Sequence, residues 1–150
     1  MKKIFVVLAI AGAMISAANV NAQVKSVTAV RSAVESAQKA AADAKKATKV
    51  ATWVKLGQTL VEAYNAPMGN GWIGATDQEL ALVMSGTKPS AEEQVTVNGQ
   101  PMIKRVYDTM NYYFNEQGQL SIIEVTKPVY EDALEQAVEA FKKAAEAVVH

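Results

Sequence analysis

Two stretches decide the fold: Trp53-Val54-Lys55-Leu56-Gly57-Gln58-Thr59-Leu60 and Ala137-Val138-Glu139-Ala140-Phe141-Lys142-Lys143-Ala144. In each, the apolar and small residues recur three and four positions apart, the spacing of one helix face. Glycine inside a helix costs about 1 kcal/mol relative to alanine, so Gly57 belongs where a partner has to come close. Ala137 and Ala144 make the same small contact on the second helix, with Phe141 between them. Each helix thus carries a face suited to close packing on a neighbouring helix.

Working outward, Val27, Val30, Val34, Ala37, Ala41, Ala44 and Thr48 alternate steps of three and four, a seam of small or branched residues that lets a neighbouring helix approach closely. No Gly or Pro interrupts Val24 to Ala66, so a long alanine-rich helix is predicted over about 24–66, unbroken or bent near Asp43, a residue able to cap a new start. Pro67, Gly69, Asn70, Gly71 and Gly74 then open a loop, and Thr76-x2-Glu79 is a capping box for a short helix over 77–85. Beyond the polar connector the period changes. Strands are expected at about 94–97, 102–114 and 119–126, the first pair joined by Asn98-Gly99, the strongest two-residue hairpin signal. After Pro128 a last helix over 129–148 carries Tyr130, Leu134, Ala137, Phe141, Ala144 and Val148 at helical spacing. The expected fold class is α+β: a long alanine-rich helix plus an antiparallel helix pair, with a three-stranded antiparallel meander inserted between the halves of the pair.

Trp53-x2-Leu56-Gly57-x2-Leu60 and Ala137-x3-Phe141-x2-Ala144 resemble the first and second helices of one tetratricopeptide repeat, whose pattern is W-x2-L-G-x2-Y followed by A-x3-F. The resemblance covers those two helices. It departs from the family in three ways: Leu60 stands for the usual Tyr, no Pro follows the second helix, and an insert of about 68 residues breaks the 34-residue period. It implies that the two helices pack on one another across the insert, Trp53 and Leu56 against Phe141, in a non-catalytic protein-interaction or scaffold module in which Trp53, Leu56, Gly57, Leu60, Ala137, Phe141 and Ala144 are packing determinants. The implied partner is a polypeptide, or further repeats stacked on the last helix as part of a longer array; self-association is a third outcome.

The N-terminus suggests export. Met1-Lys2-Lys3 is basic, Ile4 to Ile15 is apolar, and Val20-Asn21-Ala22 supplies small residues before a cut at Gln23. Residues 1–22 are therefore read as a signal peptide and 23–150 as one α+β domain, periplasmic or secreted and not membrane-spanning in the mature form. Basic and acidic residues number 15 each; loss of Lys2 and Lys3 tips the balance to slightly acidic. Nucleic acid, which needs clustered Lys and Arg, is not an expected partner. Lys45, Lys46 and Lys49 form the densest basic group and read as a solvated helix face. The chain has no cysteine, so no disulfide, thiolate nucleophile or cysteine metal site can form.

Chemistry finds little support. The single histidine is the last residue, which leaves no base for a Ser-His-acid triad. Asp108, Glu116 and Glu124 have no spacing that converges on a metal, and Glu92-Glu93 sit on a polar connector. Gly69-x-Gly71-x2-Gly74 has dinucleotide-fingerprint spacing but follows a helix instead of a strand. No catalytic residue, cofactor or metal is expected. An alternative is an envelope protein that binds a small ligand or glycan with its aromatic sheet and glycine-rich loop. Its contact residues would be Trp72, Tyr107, Tyr112 and Tyr113.

Overall fold

The computed structural model describes the backbone of Phe5–Val7 and residues 24–149. The fold is α+β, and the chain divides into two compact units: one holds residues 67–127 with the N-terminal strand, the other residues 24–66 and 128–150. The predicted signal peptide lies outside the described residues except for Phe5–Val7, which form strand β1.

The helical unit contains α1 (Val27–Ala42), α2 (Val50–Asn65) and α4 (Ala133–Val148), with α2 between the other two. Lys25 Nζ lies 2.9 Å from Glu62 Oε2, which places the start of α1 beside the end of α2. The long helix expected over about 24–66, unbroken or bent near Asp43, is instead two helices that separate there. Asp43 Oδ1 accepts the backbone N–H groups of Lys45 and Lys46, both at 3.0 Å, and these bonds hold its carboxyl below the usual range. A short side chain that captures nearby backbone donors competes with helix continuation. A 3-10 turn over Lys46–Thr48 then leads into α2. Val30, Val34 and Ala37 from α1, Leu56, Leu60 and Ala63 from α2, and Ala137 and Ala140 from α4 make the buried core.

The other unit is an antiparallel sheet in the order β1-β5-β4-β3-β2, formed by β1, β2 (Ala91–Val97), β3 (Gln100–Val106), β4 (Met110–Phe114) and β5 (Leu120–Val125). The expected meander of three strands gains a fourth because the 102–114 stretch is two strands. Tyr107 N–H donates to Met110 O at 2.9 Å, closing a reversal over Asp108 and Thr109, and the Thr109 hydroxyl donates to Pro67 O at 2.7 Å. The Asn98-Gly99 turn forms as expected, with φ of 50° and 78°, the positive values a tight hairpin requires. The short helix α3 (Asp77–Val83) carries its capping box: Glu79 N–H donates to the Thr76 hydroxyl and Thr76 N–H to Glu79 Oε2. Leu80 and Ala75 pack on Met110, Tyr112, Phe114, Leu120 and Ile123, the covered sheet face.

Candidate interaction surfaces

The two signature helices meet in the helical unit. A Cβ built on Gly57 would lie 2.5 Å from Phe141 Cε1, so the ring rests against the Gly57 backbone and no larger residue fits without movement. Leu56, Leu60, Ala137 and Ala144 are buried. Trp53 is half-buried, its indole N–H donating to Ala47 O at 2.8 Å and Lys143 Nζ lying 4.7 Å from its ring centroid. All seven residues singled out for packing thus fall on α2 and α4, and Trp53 and Gly57 have direct partners on the second helix.

The inner seam of α4 differs from the expected one. Ala133, Ala137, Ala140 and Ala144 face inward, whereas Leu134 is 40%, Val138 52%, Phe141 39% and Val148 69% exposed. Alanine lets the two helix axes come closer than a leucine seam would, which turns the large side chains onto one flank. These recur at three- and four-residue spacing as an apolar stripe with Ala145. The other flank borders an open groove of about 370 Å³ lined by Trp53, Leu56 and Leu60 of α2 and by Asp132, Glu135, Gln136, Glu139, Ala140 and Lys143.

The sheet unit revises the alternative contact set. Tyr107 and Tyr112 are core residues, not surface aromatics, with ring centroids 5.2 Å apart. The Tyr112 hydroxyl donates to Met68 O and accepts Gly71 N–H at 3.1 Å, and burial pushes it up to about 12. Alternation along β4 sends Tyr113 to the opposite face, half-buried, where its hydroxyl donates to Glu124 Oε1 at 3.0 Å; burial first, then Glu124, raise it to about 12. Asn111 Nδ2 donates to the same oxygen at 2.7 Å, while Asn111 Oδ1 is buried with no hydrogen-bond partner among the described residues. Trp72 stays exposed in the glycine-rich loop. That loop is tied to the sheet, Gly74 N–H donating to Leu120 O at 2.7 Å and Gly71 N–H to Tyr112, so these donors do not point at a phosphate.

Arg105 is a cluster the sequence did not reveal. Its guanidinium bonds Asp77 at 2.6 Å and Glu92 at 2.9 Å and stands 4.3 Å from the Phe114 ring centroid. The Asp77 bond is the main reason its pKa rises further, against the opposing effect of burial. Only the register between β2 and β3, which sets Glu92 opposite Arg105, could have signalled it.

Comparison of the chain with family models, with curated proteins and with solved structures finds no match. Among the described residues, no helix is long and apolar enough to cross a membrane.

Proposed function

We propose that this protein is an exported, non-catalytic polypeptide-binding module whose binding helix is α4. The observation that carries the reading is the exposed apolar stripe Leu134, Val138, Phe141 and Val148 on a helix already seated through its alanines on α2. A contiguous apolar flank at helical spacing suits a second helix, which buries it by ridge-into-groove packing. The contact of Phe141 with Gly57, together with Trp53 and Ala137 at their repeat positions, supports a resemblance to a tetratricopeptide unit interrupted by the sheet-bearing insert. Export rests on the basic, apolar and small-residue order of residues 1–22.

A photo-crosslinking amino acid at position 138, introduced in the producing cell, tests the reading. Polypeptide adducts at 138, absent from the same probe at Lys88 in the sheet unit, are the expected result. Solvent-quenched probe at both positions overturns it. Mass spectrometry of the recovered chain should find Gln23 as its first residue; an intact Met1 start would overturn the export reading.

A further inference from the structure

The groove on the other flank of α4 is distinct from the apolar stripe. Its floor is Trp53, Leu56 and Leu60, and its α4 wall presents Asp132, Glu135 and Glu139, all exposed, against Lys143, the one cation among the described residues of the lining. Gln136 Nε2 donates to Asp132 at 2.8 Å, and Lys142 Nζ, outside the lining, bonds Glu139 at 3.2 Å. Groove charge therefore remains negative over an apolar, aromatic floor.

We propose that this groove binds a positively charged amphipathic helix of a partner polypeptide. Three properties select that occupant. The carboxylates recur every three or four residues along α4, so they step by about 5 Å, the rise between Lys or Arg residues on one face of an opposing helix. From Asp132 to Lys143 the wall extends roughly 16 Å at 1.5 Å per residue, about three turns of a ligand helix. Trp53 already carries an ammonium on its ring face, at 4.7 Å from Lys143, which is the contact an incoming Lys or Arg would share or replace. Apolar residues on the same helix would then reach Leu56 and Leu60.

Trp53 is the reporter. The chain has two tryptophans, and Trp72→Phe, a change at an exposed position in the other unit, leaves Trp53 alone in the emission spectrum. Three synthetic helices, with leucine on one face and lysine, glutamate or glutamine on the other, are titrated into the full chain at low and high salt. The lysine helix should give a saturable Trp53 change that weakens as salt screens the exposed charges. Glu135→Lys with Glu139→Lys should weaken its binding roughly tenfold or more, because two attractions become repulsions. Glu135→Gln with Glu139→Gln should fall between, and guards against a folding defect. Lys88→Gln, in the sheet unit, should leave the response unchanged; absence of crosslinking at 138 with this response intact would refute the stripe reading alone. Equal binding of the lysine and glutamate helices, binding indifferent to charge reversal, no Trp53 response to any helix, or a response reproduced by a free triamine alone would each overturn the proposal.

Discussion

Replacing Gly57 with alanine sets two effects of known sign against each other. In an unobstructed helix the change is stabilising by about 1 kcal/mol. Here the new Cβ would come within 2.5 Å of Phe141 Cε1 and 2.6 Å of Cζ, so the ring has to leave its seat. A fully covered phenylalanine buries on the order of 200 Å²; Phe141 is 39% exposed, so about 120 Å² is covered, worth about 3 kcal/mol at 25 cal/mol per Å². If the ring keeps half of that burial by tilting outward, the loss is about 1.5 kcal/mol; if it leaves entirely, about 3. Subtracting the helix-propensity gain leaves Gly57→Ala destabilising by roughly 0.5–2 kcal/mol. In a Phe141→Ala background the obstruction is gone, and the same substitution should stabilise by about 1 kcal/mol. The sign reversal, read as shifts of urea midpoint followed by Trp53 emission in the Trp72→Phe chain, is the diagnostic, and the double-mutant cycle isolates the coupling. A substitution of equal effect in both backgrounds would refute the seating of Phe141 on Gly57.

Tyr112 makes a pH prediction. A phenol held neutral by burial, with its folded pKa near 12 and ordinary value 10.0, contributes fully below the unfolded value and loses that contribution as pH rises through the folded one. Stability should therefore fall between about pH 10 and 12, a fall that Tyr112→Phe should reduce; the same variant should cost about 1–3 kcal/mol at neutral pH by leaving Gly71 N–H and Met68 O short of a partner. Chemical denaturation at stepped pH checks both, and an unchanged alkaline slope would refute the assignment. Arg105→Lys keeps the charge but cannot fork between Asp77 and Glu92 or stack on Phe114, so it should recover less than half of the stability that Arg105→Ala loses; full recovery in thermal melts would show that charge alone matters. On α4, Ala140→Leu should cost about 1–3 kcal/mol by overpacking the inner seam, whereas Val138→Lys should stay within about 0.5 kcal/mol. Comparable losses from the two in urea titrations would mean that the inner and outer faces are reversed.

Where local chemistry decides structure, the sequence was a sufficient guide. The capping box at Thr76 and Glu79 depends on side chains bonding backbone within a few residues, and the Asn98-Gly99 reversal on two adjacent residues that tolerate positive φ. Asp43 was legible as a cap, but not as the end of one helix. A close partner for Gly57 was legible because a mid-helix glycine implies one, but that the Phe141 ring supplies it was not. The reversal after Tyr107 was not: Asp108-Thr109 contains neither Gly nor Pro, and Thr favours strands. The length of the expected strand, well over the usual five or six residues, was the available warning. Tyr112 and Tyr113 were separable as opposite faces by alternation, but which face is covered depends on Ala75 and Leu80, which tertiary structure brings to the sheet. The ion pairs of Arg105 and the floor that α2 gives the acidic groove are built across elements, and nothing local encodes them.

The rotation of α4 follows from a competition that periodicity alone cannot resolve. Tyr130, Leu134, Phe141 and Val148 and the series Ala133, Ala137, Ala140 and Ala144 both have helical spacing, one residue apart at several points. Hydrophobic burial alone would turn the larger residues inward, since stabilisation scales with apolar area. The structure turns the alanines inward, because a close approach of α4 to α2 is what allows Phe141 to reach over Gly57 from the edge of the interface. A helix selected only to seal this unit would keep its inner alanines and exchange its outer Leu134, Val138 and Val148 for polar residues. α4 keeps these outer positions apolar, which raises the exposure of apolar surface and is consistent with a second contact being made on that flank.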